Sequence, residues 1–235
     1  MSSSTKFLVA LFFFWVFTGV IWAQSQVLRY QVSWMGIPAG KITIKIIPQR
    51  ANTYVRAEAR TTGLVRLIFP FQSIWETWMG PDGYPLKTHI WRKRRNKVVI
   101  KEFFFDQEKG VVKRVQNGKQ EIDQVGGKVY DELSAFIVSR KIPWKRPGET
   151  RKMRIYAHKR AREATMQYIA DEKIKTWCGW ITARKIRVEF GFESELVRRA
   201  KKALFWVKQG EVFEGEGDLP LGHLTAILAN PRCKP

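Results

Sequence analysis

Leu28-Arg29-Tyr30-Gln31-Val32-Ser33-Trp34 is followed by Gly36-Ile37-Pro38-Ala39-Gly40 and then by Lys41-Ile42-Thr43-Ile44-Lys45-Ile46. Apolar side chains occupy every second position of both flanking runs: Leu28, Tyr30, Val32 and Trp34 in the first, Ile42, Ile44 and Ile46 in the second. Successive side chains of a strand point to opposite faces, so each run has one face for a core and one for water. The segment between them, rich in glycine and proline, breaks the alternation and turns the chain. The whole reads as a β-hairpin.

The pattern recurs over Tyr54–Thr61, Ser73–Met79, Leu86–Lys93, Val98–Asp106, Val111–Gln116 and Gln120–Val125. Gly80-Pro81-Asp82-Gly83 and Asn117-Gly118 punctuate it, the latter a strong two-residue hairpin signal. Then the period changes. Tyr130, Leu133, Phe136, Ile137 and Arg140 recur at helical spacing, between a potential N-cap at Asp131 and a stop at Pro143, which predicts a helix over 131–141. A second block of strands is expected over Lys152–His158, Glu163–Ala170, Ile174–Phe190, Ala203–Lys208 and His223–Leu228. About a dozen evenly spaced strands, mostly joined by hairpins, predict an all-β fold: an antiparallel meander curled into an open or closed barrel, with one central helix. Neither a flexible linker nor an internal repeat divides it, so residues 24–235 read as a single β-barrel-like domain.

Residues 1–23 follow a different grammar. A short polar start with Lys6 precedes an uncharged run from Phe7 to Trp22, and Ala23 is small enough for signal peptidase. That order predicts a secretory signal peptide. The run falls short of the roughly 20 residues of a membrane-spanning helix. Ile21, bulkier than the preferred alanine at its position, keeps an uncleaved inner-membrane anchor open as the alternative. The expected location is periplasmic, with no transmembrane span in the mature chain.

The chain carries 42 Lys and Arg against 21 Asp and Glu, and only Lys6 of these belongs to the leader. So large an excess surrounds the protein with a positive field that favours anionic partners. After export those are anionic lipid or lipopolysaccharide surfaces and acidic wall polymers, not nucleic acid. Envelope proteins remain open as partners. A generally basic proteome, or heat adaptation, accounts for the same excess without a function. Cys178 and Cys233 suit either one disulfide or two free thiols. His89, His158 and His223 lie too far apart to suggest a metal site. Glu211, Glu214, Glu216 and Asp218 gather among glycines, but their spacing does not match a calcium loop, and a long solvated turn is expected. Nothing points to a cofactor.

Candidate site residues fall into three groups. Asp131, Ser134 and Arg140 on the predicted helix read either as ligand-contacting groups at a barrel mouth or as an N-cap, a packing residue and a C-terminal cation. Trp34, Trp75, Phe103 and Phe105 belong to strands and suit either a hydrophobic ligand cavity or a filled core. Arg94 and Arg95, at a basic hairpin tip, suit lipid phosphates or plain solvation. The apolar stretch Gly63–Phe71 reads as a lid, a membrane-dipping surface or a buried crossover. Ser134 lacks the Gly-x-Ser-x-Gly setting of a hydrolase nucleophile, so no catalytic residue is assigned.

Several of these patterns, in order, resemble domain-of-unknown-function family 3108 of exported bacterial proteins. The opening run Leu28–Gly40 is similar to the family's aromatic strand and glycine turn. Tyr130-Asp131-Glu132-Leu133-Ser134-Ala135-Phe136 with Arg140 is similar to its central helix. Thr176–Trp180, Phe205-Trp206-Val207 and Gly222–Leu228 follow in the expected order. The resemblance implies a curved, barrel-like antiparallel sheet in the Gram-negative envelope, and brings no established activity. Lys208-Gln209-Gly210 departs from the acidic pair expected after Trp206. Three functions stay open: binding of an amphiphilic anionic envelope ligand (lipid or glycolipid), a structural scaffold with a filled barrel, and a cell-wall glycan or lipid hydrolase.

Overall fold

The computed structural model describes residues 24–195, 200–219 and 222–232. One sheet of 14 antiparallel strands organises them. The first eight form an unbroken meander: β1 (Gln26–Trp34), β2 (Ile37–Gln49), β3 (Asn52–Thr61), β4 (Phe71–Met79), β5 (Pro85–Arg94), β6 (Lys97–Asp106), β7 (Val111–Gln116) and β8 (Lys119–Gln124). The second run is β9 (Thr150–Ala157), β10 (Arg160–Thr176), β11 (Gly179–Phe190), β12 (Lys202–Lys208), β13 (Glu211–Leu219) and β14 (Gly222–Leu228). Last meets first: β14 pairs with β1, with Tyr30 opposite Leu228 and Trp34 opposite Leu224. The expected all-β meander is therefore present, and it is open, because β8 and β9 end the sheet without pairing with each other; the outer edge of β9 carries only a bridge to Tyr130.

The turn chemistry is that read from the sequence. Asn117 (φ 51°) and Gly118 (φ 76°) both take the left-handed conformation that a two-residue hairpin requires. Three local expectations are corrected. Ile174–Phe190 is not one strand but the end of β10, a turn at Trp177-Cys178, and β11. The expected solvated turn around Glu211–Asp218 is strand β13, hydrogen-bonded on both sides. The apolar stretch after β3 contains a six-residue helix, α1 (Gly63–Ile68).

Helix α2 (Glu132–Ser139) plugs one end of the curled sheet, within the span the sequence predicted. Leu133 and Ser134 on it are fully buried, and Leu133 joins Leu28, Ile44, Val55, Trp75 and Ile90 in the main core. Each such side chain contributes roughly 1.5–3 kcal/mol by leaving water. Asp131 fixes the plug to the wall. Its Oδ1 accepts from the Ser134 N–H at 2.5 Å, and its Oδ2 accepts from Thr77 Oγ1 on β4 at 2.6 Å and from Thr88 Oγ1 on β5. Ser134 Oγ in turn accepts from the Asp131 N–H at 3.0 Å, completing a capping box.

Strand β9 tucks inside the curl. Tyr156 meets Phe103 and Phe105 of β6, with ring centroids 5.4 and 6.0 Å away, while its neighbour Ile155 packs in a second cluster with Ala135 of α2, Met166 and Val188. Both faces of the strand are thus buried over its last three residues, Ile155–Ala157, while Thr150–Lys152 and Arg154 are exposed. Side chains cross the seam where backbone pairing stops: Tyr156 Oη donates to Asp123 Oδ2 at 2.5 Å, Arg154 to the Val125 carbonyl at 2.5 Å, and Lys159 to Glu121 at 3.0 Å. Among the described residues no helix is long and apolar enough to cross a membrane. Cys178 is disulfide-bonded; Cys233, the other half of the expected pair, lies outside the described residues, as does the expected leader 1–23.

Candidate functional site

The curled sheet is filled at the α2 end and hollow at the other. A cavity of about 780 Å³ opens there, with Tyr30, Leu133, Phe136 and Val212 among the residues lining it. The hollow has a cause in residue size. Inward positions of the upper wall carry small residues, Ala57 and Ala59 on β3, Ser73 on β4, Gly215 and Gly217 on β13, and Ala226 on β14. Leu28, Ile46, Val55 and Ile90 supply the bulk lower down. At Gly215 the space is already committed: a Cβ there would stand 3.2 Å from the Phe205 ring.

Three cations point inward near the open end. Alternation places Arg92 and Arg94 on the same face of β5 as the buried Thr88 and Ile90, and Lys101 on the same face of β6 as Phe103 and Phe105. All three line the cavity. Glu195, from the connection between β11 and β12, meets two of them: Lys101 Nζ at 2.8 Å and Arg92 Nη1 at 3.3 Å. Burial would push the Glu195 carboxyl up, but Lys101 and Arg92 beside it hold it below the usual carboxylate range. Glu132 anchors the same connection from below, accepting from Ser194 Oγ at 2.5 Å and from the Glu195 N–H at 2.9 Å.

The residues singled out from sequence divide by depth. Trp34, Trp75 and Arg94 line the cavity, and Arg95 belongs to a shallow basic depression on the neighbouring tip with Arg94 and Lys97. Phe103 and Phe105 face inward but lie in the filled core against Tyr156. Asp131 and Ser134 are committed to the helix cap. Arg140 ends α2 as a buried cation. Its guanidinium lies 6.0 Å from the Phe136 ring, and burial pushes its pKa down against the opposing pull of Tyr30 and Glu211. Among the described residues its Nε and Nη1 find no hydrogen-bond partner. Lys101 and Glu195 are not singled out in the sequence, and Arg92 only as the first residue of the basic Arg92–Lys97 tip. The strand parity that marks Arg94 as inward also marks Arg92 and Lys101, so that signal was present.

Fold and site together define a barrel-like β protein with an apolar chamber and a cationic mouth. The chain belongs to the family described as "Protein of unknown function (DUF3108)", which matches residues 29–224. No match was found among curated proteins. A solved structure with the same fold is that of a β-barrel-like protein of domain of unknown function DUF1849 from Brucella abortus. It is 10% identical, with a TM-score of 0.55, and the likeness covers 87% of this chain and 95% of that one. At that identity the likeness is one of fold.

Proposed function

We propose that the protein binds an amphiphilic anionic ligand of the cell envelope, a lipid or glycolipid, without turning it over. The observation that carries this reading is the coincidence of an apolar chamber with inward-pointing cations at its open end. A volume of about 780 Å³ falls within the roughly 300–1,000 Å³ of small-molecule sites. An acyl chain would lie along Val32, Ala57, Ala59 and Phe205. Its head group would meet Arg94 and compete with Glu195 for Arg92 and Lys101. The leader-like N-terminus and the net charge of +21 support a periplasmic setting rich in such ligands.

Native mass spectrometry of protein purified gently from its own envelope tests the reading. A retained mass that fragments to acyl chains is expected. A clean apo mass, together with failure to take up added envelope lipids, overturns it in favour of a scaffolding barrel.

A further inference from the structure

The rim of the open end has its own surface chemistry. On the β1–β2 turn Met35 and Ile37 are 67% and 50% exposed, and on α1 Leu64, Leu67 and Ile68 are 72%, 80% and 60% exposed. The two segments adjoin: the Thr62 N–H donates to the Ala39 carbonyl at 3.0 Å, and Phe69 meets Trp34 edge-on at 6.4 Å. Helix α1 has no buried residue, yet it stays at the mouth because Val65 and Phe69 face the cavity. A soluble surface rarely gathers so many large aliphatic side chains in one place without a partner.

The third rim element is basic. The Arg95 N–H donates to the Pro70 carbonyl at 3.2 Å, which sets the β5–β6 tip beside α1. That tip carries Lys93, Arg94, Arg95 and Lys97, all exposed, and Arg66 projects from α1 itself. Residues 35–37, 62–70 and 93–98 contain no Asp or Glu. Glu193, Glu195 and Glu216 also line the cavity; Glu195 pairs with Arg92 and Lys101, and Glu216 shares His223 with Asp218, at 3.7 and 2.9 Å. Aliphatic side chains flanked by cations are the surface that settles into the head-group boundary of an anionic bilayer.

We propose that this rim, Met35, Ile37, Leu64, Leu67 and Ile68 with the Arg95/Lys97 tip, docks the open end of the barrel on an anionic phospholipid membrane. Docked there, the mouth of the cavity faces the lipid, and an acyl chain passes between bilayer and chamber without crossing water. The docking itself does not require the ligand reading given above, since the residues that carry it lie outside the cavity.

Co-sedimentation with vesicles tests the docking. The wild-type protein is expected to pellet with vesicles containing phosphatidylglycerol, not with phosphatidylcholine alone, and to be released by 0.5 M salt in part. Leu64→Glu with Leu67→Glu should abolish pelleting. Arg95→Glu with Lys97→Glu should weaken it at least tenfold. All four positions are exposed, and an unchanged circular dichroism spectrum would exclude misfolding. Failure of the wild type to pellet, pelleting unchanged in the Leu64/Leu67 variant, or binding to lipopolysaccharide micelles alone overturns the proposal. Uptake of a fluorescent fatty acid separates the two claims. Lost pelleting with retained uptake would sink the docking alone, and retained pelleting without uptake would sink the ligand alone.

Discussion

Replacing Asp131 with alanine tests how the plug is held. The carboxylate is 2% exposed and accepts from the Ser134 N–H and from the hydroxyls of Thr77 and Thr88, both fully buried. Losing the N-cap costs about 1 kcal/mol. Losing the acceptor leaves two buried hydroxyls with only each other, 3.3 Å apart, so one donor stays unsatisfied at about 1–3 kcal/mol. The variant should therefore lose roughly 3 kcal/mol, a large share of the 5–15 kcal/mol typical of a domain. In urea unfolding followed by tryptophan fluorescence, the midpoint should fall by about 1–1.5 M for a slope of 2–3 kcal/mol/M. Asp131→Asn keeps an oxygen for the Ser134 N–H and offers an amide to hydroxyls that can also accept, so it should lose only about 1 kcal/mol. A loss below 1 kcal/mol for alanine would show that the cap and its hydroxyl contacts do not hold α2 in place. Equal losses for the two variants would show that charge, rather than hydrogen-bond geometry, is what the site needs.

Other outcomes follow from the chamber and its charges. Ala59→Trp would occupy space equal to about four methylenes at about 0.8 kcal/mol each, so long-chain fatty acid binding should weaken roughly 200-fold while a short-chain ligand is spared. Unchanged long-chain affinity in a folded variant would place the chain elsewhere. Glu195→Gln frees Arg92 and Lys101 and should tighten binding of an anionic amphiphile about tenfold, measured by displacement of a fluorescent probe. Because its folded pKa is depressed, the stability Glu195 contributes is present above the ordinary carboxylate pKa and lost as pH falls through the depressed value; a wild-type stability profile should show that loss and the Gln variant should lack it. His223, hydrogen-bonded to Asp218 and close to Glu216, should titrate above 6.5 by NMR. Its contribution to stability is present below pH 6.5 and lost as pH rises through the raised value, so titration at or below 6.5 would contradict the pairing.

The strands were legible where inward positions carry large apolar residues. The runs Leu28–Trp34 and Ile42–Ile46 announce themselves by parity alone. Strand β13 did not, because its inward positions hold Gly215 and Gly217. The missing side chains that erased the alternation make way for the Phe205 ring over Gly215 and for the chamber beside Gly217. The β10–β11 turn was masked by its flanks: Trp177 and Trp180, 67% and 70% exposed, bracket Gly179 (φ 86°), whose turn signal they obscure. For the site, parity identified which side chains point inward but not how far up the wall they sit. Trp75 and Phe103 share the inward face, yet Trp75 borders the chamber and Phe103 is sealed in by Tyr156, which comes from β9, 53 residues later in the chain. That juxtaposition depends on the roll of the sheet, to which local spacing is blind. Helix α1 eluded the reading because a six-residue apolar segment shows too little of either period.

The seam between β8 and β9 sets a mechanical property of the wall. Elsewhere the circumference is held by ladders of backbone hydrogen bonds, whose registry fixes the bore of a closed barrel. Along this one line the side-chain contacts Asp123–Tyr156, Val125–Arg154 and Glu121–Lys159 take their place. Amide hydrogens of β8 should exchange faster than those of β3 or β4, which are paired on both sides. The sheet is a cuff fastened by laces rather than a closed hoop, its girth set along this line by three side-chain contacts instead of a backbone ladder.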